Sequence, residues 1–159
     1  MPEKIQKITP FLWFNHNAEE AVNFYTSIFK KSKILQIARY PEGTPGKPGT
    51  IMTINFLLNG QEFTALNGGP LFKFTEAISF VVKCDTQKEI NDFSKKLSDG
   101  GKQECGWLKD KYGVSWQIVP SNLGKMIASK NTQKSKRVMQ ALLTMKKIDI
   151  KVLVKAYNG

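Results

Sequence analysis

Few side chains in this sequence can do chemistry. The single histidine, His16, sits in an Asn15-His16-Asn17 turn with no second His and no carboxylate fixed beside it. It is expected to be an exposed turn residue rather than a ligand or base. Cys84 and Cys105 stand 21 residues apart in apolar surroundings. That spacing makes neither a disulfide framework nor a zinc set, so buried, reduced thiols are expected. Cys105 has no nearby His to draw off its proton, which argues for an inert thiol. Glu62, Glu104 and Asp110 are the carboxylates left for acid–base work. Asn67-Gly68-Gly69-Pro70 has the glycines of a phosphate loop, but Pro70-Leu71-Phe72 opens no helix to hold an anion. It reads as a tight turn.

The richest stretch is Cys105–Pro120, C-G-W-L-K-D-K-Y-G-V-S-W-Q-I-V-P. Trp107 and Leu108 run into the polar turn Lys109-Asp110-Lys111. Gly113 closes that turn, and Ser115–Val119 forms a second apolar run ended by Pro120. Strand alternation places Trp116 and Ile118 on one face, and Ser115, Gln117 and Val119 on the other. Gln117 is the polar side chain on which a functional reading turns.

The elements that must position these groups fit one well-buried core or two small modules, since the chain has 159 residues and a 41% apolar composition. No run approaches the roughly 18 apolar residues of a membrane span. Met1–Lys7 is polar with no signal core, so a cytoplasmic protein is expected. The formal charge of +11 suggests nucleic acid until it is located. Residues 1–120 carry 15 basic and 12 acidic side chains, and residues 121–159 carry 9 and 1. The basicity therefore belongs to the tail. No aromatic interleaving or groove-reading motif accompanies it, so a solvated helical face is the expectation and nucleic-acid binding is not.

Along the chain, Ile8–Phe14 reads as a strand, and Asn17 as the cap of a helix running to about Phe29, with Glu20 completing a capping box. Ile34–Tyr40 and Thr50–Leu58 read as strands, separated by a mobile Pro/Gly loop, Pro41–Gly49. Asn59-Gly60 is a strong hairpin signal before Gln61–Leu66. The pattern then returns: Ala77–Cys84 is a strand, and Asp85 caps a helix over Thr86–Leu97 that stops at Gly100-Gly101. Strands follow around Lys102–Leu108 and Val114–Val119. Val22 falls on Ile90, Tyr25 on Phe93 and Phe29 on Leu97, at a constant offset of 68 residues. Past Pro120 come a short apolar segment, Leu123–Ile127, and an amphipathic helix over Lys134–Met145. A last helix is capped by Asp149, with Ile148 and Leu153 as a staple. The fold class is α+β, two βαβββ-type modules (about 8–70 and 77–120) forming one domain, 1–120. A basic helical tail, 121–159, packs on that body or on a partner.

Four motifs in order, A-E-E-A-V-N-F-Y-T-S-I-F (18–29), L-N-G-Q-E-F-T-A-L-N-G-G-P (58–70), Cys105–Pro120 and R-V-M-Q-A-L-L-T-M-K-K-I-D-I (137–150), resemble one family. It is the PhnB-like group, often labelled 3-demethylubiquinone-9 3-methyltransferase domain, of the vicinal oxygen chelate superfamily. That superfamily also holds glyoxalase I, bleomycin-resistance proteins and extradiol dioxygenases. The resemblance implies that each sheet curls into a cup over a pocket and that the protein is a homodimer. Catalytic members hold a divalent metal with His or Glu on the first and last strands of each module. Those positions carry over to Pro10 or Phe11, Ile78 or Ser79, Glu62 or Thr64, and Gln117, a set with no imidazole.

The expected function is therefore metal-free binding of a small, partly aromatic or apolar molecule, with no cofactor. Phe14, Met52, Phe56, Phe63, Trp107, Trp116 and Gln117 are the candidate lining residues. The alternative is a superfamily lyase, isomerase or dioxygenase, or the methyl transfer in the family label. The chain lacks the strand–Gly-loop–helix unit on which an adenosylmethionine-type donor usually sits.

Overall fold

In a computed structural model of the protein, residues 6–99 and 101–159 are described. Most of Met1–Lys7, and Gly100 of the Gly100-Gly101 stop, lie outside them. The chain divides into two compact units, Met1–Lys73 and Phe74–Gly159. The first unit is β1 (Phe11–Phe14), α1 (Ala18–Ile28), β2 (Lys33–Arg39), β3 (Ile51–Leu58) and β4 (Gln61–Asn67). The second repeats the plan as β5 (Phe80–Cys84), α2 (Gln87–Ser98), β6 (Gln103–Glu104), β7 (Trp107–Lys109) and β8 (Ser115–Pro120). It then adds α3 (Leu123–Ile127), α4 (Thr132–Leu143) and α5 (Ile150–Asn158). The sheet orders are β1-β4-β3-β2 and β5-β8-β7-β6. In each, the first strand pairs parallel with the last, and the remaining pairs are antiparallel. The fold is thus two βαβββ modules with a helical tail.

Period-two alternation decides which side chains each helix covers. In the first unit Leu12, Phe14, Ile54, Phe56, Leu58, Phe63 and Ala65 are all buried, and α1 contributes Ala18, Ala21, Val22 and Tyr25 to the same core. Phe56 and Phe63 are cross-strand partners with rings stacked 5.7 Å apart. In the second unit Ile90 and Leu97 of α2 bury with Leu108, Trp116 and Ile118. The side of that sheet is fixed by Gln103, the cross-strand partner of Leu108, whose Nε2 donates to Ser94 O and Ser98 Oγ on α2.

Several local expectations move. The Asn17 side chain makes no cap bond; Asn67 Oδ1 accepts from Ala18 N instead (2.9 Å), while Asn67 Nδ2 donates to Ile51 O. A cap from a distant strand cannot be found by local spacing. In α2 the cap is Thr86, not Asp85, and Glu89 completes the box. Pro41–Gly49 is anchored at its ends. Tyr40 N donates to Thr50 O and Gly49 N to Tyr40 O, and Gly46 lies so close over the Tyr40 ring that a Cβ would collide with it.

A second hairpin went unread: Cys105 and Gly106, both at positive φ (51° and 81°), turn β6 into β7, as Asn59 and Gly60 (49° and 82°) turn β3 into β4. Cys is a rare residue for that left-handed position, so the turn carries no ordinary signal.

The tail binds the second unit. Cys105 N donates to Met145 O (2.8 Å) and Gly106 N to Lys146 O (2.9 Å). Gln87 on α2 clasps the connection between α4 and α5, its Nε2 donating to Ile148 O and its Oε1 accepting from Ile150 N, both at 2.9 Å. Val138, Ile148 and Leu153 are fully buried, and Asp149 caps α5 at Lys151 N and Val152 N. Among the described residues, no helix is long and apolar enough to cross a membrane.

Candidate functional site

Each sheet has a face turned away from its helix, and there the polar side chains gather. In the second unit Gln117 sits between Val81 of β5 and Trp107 of β7. Its Nε2 donates to Ser79 Oγ at 2.9 Å. Trp107 is 36% exposed, and the next pair on this face is Ser115 with Lys109. Lys109 forms an ion pair with Glu76, and the bond from its ammonium holds the Glu76 carboxyl below the usual carboxylate range. In the first unit the corresponding face carries Phe11 opposite Thr64, Thr64 opposite Asn55, and Trp13 opposite Leu66. Trp13 Nε1 donates to Gly69 O, its ring meets Phe72 edge-on at 4.9 Å, and it lies over Gly68, where a Cβ would come within 2.4 Å of the indole. The Asn67–Pro70 glycines thus seat a tryptophan.

The register shows which of the positions that the resemblance assigns to metal ligands share a face. Phe11 shares its face with Thr64 and Glu62, whereas Pro10 lies before β1 and its carbonyl is engaged by Thr64 N. Ser79, not Ile78, meets Gln117. The first unit therefore offers Phe11, Thr64 and Glu62, and the second Ser79 and Gln117. Neither set suits a divalent cation, which needs several anionic or imidazole donors. Among the described residues, no three His, Cys, Asp or Glu side chains cluster as a metal site.

The other candidate groups divide cleanly. Phe14, Phe56, Phe63 and Trp116 are 5% exposed or less and belong to the helix-side cores. Met52 is partly buried and lies where the register of β3 against β2 shifts. Only Trp107 and Gln117 come together on the open face, as direct cross-strand partners. Asp110 is committed to structure: Oδ1 accepts from Tyr112 N (2.8 Å) and Val114 N (3.0 Å), and Oδ2 from Trp116 Nε1 (2.8 Å). Burial, with the charges of Glu89 and Asp85, pushes the Cys84 thiol up to about 12, so it stays protonated. Ser115 was missed as a site residue. The alternation that singled out Gln117 put it on the same face, but a serine gives no signal of its own.

A family model for 3-demethylubiquinone-9 3-methyltransferase matches residues 6–119. The fourth motif, residues 137–150, lies beyond it, so the family match stops before the tail. No curated protein matches the chain. Among solved structures, a putative 3-demethylubiquinone-9 3-methyltransferase, PhnB protein, from Bacillus cereus is 47% identical. It covers 72% of this chain and 99% of that one, with a TM-score of 0.64. Protein PA1353 from Pseudomonas aeruginosa (19% identity, 73% and 98% coverage, TM-score 0.59) is similar in fold. So is the fosfomycin resistance protein FosX from Listeria monocytogenes, solved with Mn(II) and sulfate (12%, 80% and 98%, 0.51). With the family model spanning both modules and the repeated βαβββ topology beneath it, the chain belongs to the PhnB-like, 3-demethylubiquinone-9 3-methyltransferase family of the vicinal oxygen chelate superfamily.

Proposed function

We propose that this protein binds a small, partly aromatic molecule without a catalytic metal, and that Trp107 and Gln117 of the second unit are its contacts. The observation that carries the reading is the Gln117–Ser79 hydrogen bond, a neutral amide and hydroxyl at positions where metal-dependent relatives need ligands. An amide can orient a ligand as donor and acceptor without holding a cation, and the half-open Trp107 ring beside it supplies apolar area. Trp116 backs this face from the helix side of the same sheet, while Phe14, Met52, Phe56 and Phe63 belong to the first unit.

Intrinsic tryptophan fluorescence titrated with a panel of small aromatic molecules tests it. A saturable quench that Gln117→Leu abolishes at an unchanged melting temperature is expected; a panel without any saturable response sinks the reading. After dialysis against zinc, nickel, manganese or iron(II), retained metal should stay far below one equivalent, and Gln117→Glu alone should not raise it.

The printed names of the family and of the Bacillus cereus relative favour a second reading, methyl transfer. Calorimetric binding of adenosylmethionine would bring it forward. We further propose a cytoplasmic homodimer. The exposed apolar side chains Ile34, Leu35 and Ile37 of β2 favour a covering copy, and two free cysteines suit a reducing compartment. A monomeric mass by light scattering at micromolar concentration would refute the dimer, and membrane or secreted fractions holding the protein would refute the location.

A further inference from the structure

The second unit contains an open groove of about 1070 Å³, one side of which lies beyond the family match. One wall is the β6–β7 edge. The other is the Leu143–Lys147 segment of the tail, which lies past residue 119, where the family model ends. We propose that this groove binds a small organic anion with an aromatic body, a carboxylate or a phosphate ester. It goes beyond the Gln117 contact, because Gln117 is not part of the groove's lining.

Three observations converge on that ligand. The lysines lining the groove are Lys102, Lys109, Lys146 and Lys147, against the carboxylates Glu76 and Glu104. Glu76 is already engaged by Lys109, and Lys146 and Lys147 have no carboxylate partner among the described residues. The local field therefore favours an anion. Ser115 is a lining residue of the same groove, and its Oγ, buried on a residue 2% exposed, has no hydrogen-bond partner among the described residues. A buried hydroxyl left unpaired is costly, and an anionic oxygen accepting from it would relieve that cost. Trp107 completes the lining with a half-open indole, a surface on which a flat apolar body can stack. The volume suits a molecule of drug or nucleotide size.

The full-length protein would be titrated with 8-anilinonaphthalene-1-sulfonate, an aromatic anion that fluoresces when bound. One saturable site is expected, weakened as salt rises. 1-Naphthoate should displace the probe, and uncharged 1-naphthalenemethanol should not. Lys146→Ala/Lys147→Ala should weaken binding about tenfold or more and Ser115→Ala several-fold, each with the far-ultraviolet spectrum and melting temperature of the parent. Lys151→Ala/Lys155→Ala, a charge-matched pair outside the groove lining, should leave affinity unchanged. Loss of the Gln117-dependent quench without loss of this site would show that the two readings stand apart. No saturable binding, equal displacement by the neutral alcohol, or indifference to Lys146→Ala/Lys147→Ala would overturn the proposal. A Ser115→Ala protein that binds as tightly as the parent would also overturn it, since the hydroxyl would then make no bond to the ligand.

Discussion

The two modules share one plan and finish it differently. In the first, β3 and β4 are 8 and 7 residues long, and the Asn59-Gly60 turn between them bonds within its own module, Gly60 N donating to Lys31 O and Asn59 N to Ser32 Oγ, with open space where a Gly60 Cβ would stand. In the second, β6 and β7 are 2 and 3 residues long, and their Cys105-Gly106 turn is bonded to the tail. Strands that short bury little and pair weakly by themselves. The second module therefore depends on residues outside the repeat.

The largest effect should come from removing residues 134–159. Val138, Ile148 and Leu153 would be lost from full burial, together worth about 5 kcal/mol or more, which rivals the whole stability of a small protein. Lost solubility or a much lower melting temperature is expected, with amide exchange fastest at β6 and β7. A truncated chain with an unchanged melt would break the comparison.

Asp110→Ala comes next, because it strips three hydrogen bonds from one buried carboxylate. A loss of about 3 kcal/mol is expected in denaturant titration.

The paired turns give the sharpest contrast. An alanine Cβ at Gly106 would meet Ile148 Cδ1 at 2.7 Å and Ile118 O at 2.9 Å, whereas at Gly60 nothing lies within 4 Å. Both carry positive φ, so Gly60→Ala should cost about 1 kcal/mol from backbone strain alone. Gly106→Ala should cost about 3 kcal/mol, with overpacking added. Equal costs would mean that the tail does not constrain the second turn.

The smallest effect on stability, and a clear one in chemistry, concerns the thiols. Cys84 is raised from its ordinary 9.0 to about 12. At pH 8 it should hold roughly a thousandfold less thiolate than an ordinary thiol and label far more slowly than Cys105 with iodoacetamide. The folded state keeps a proton that the unfolded chain releases above pH 9. This contribution is whole below that pH and fades as pH climbs towards 12.

Much of this was legible from periodicity. The repeat, the Asn59-Gly60 hairpin, the alternation around Gln117 and the Asp149 cap are local patterns, and each fixes local geometry. What escaped was non-local. Asn67 caps a helix 49 residues away in sequence, Gln87 clasps a connection more than 60 residues on, and Gly68 matters because Trp13 lies over it. The aromatic candidates failed to separate for a related reason. Phe56 and Trp107 look alike as apolar strand residues, and only the register, together with the helix on one side, assigns one to the core and the other to the open face. Ser115 became interesting through what surrounds it rather than through its own type.

The irregular pairing of β2 has a consequence for how the chain survives its own synthesis. Its register against β3 shifts between Ile34 and Gln36 and again between Ala38 and Arg39. A straight, apolar edge would template the addition of a stray strand from another nascent chain, the first step of aggregation. Two dislocations within seven residues interrupt the regular ladder, an irregularity that increases local twist, and Lys33 and Arg39 put a charge at each end of the strand. The edge that exposes Ile34, Leu35 and Ile37 is thus a poor template, and the irregularity acts as a gatekeeper.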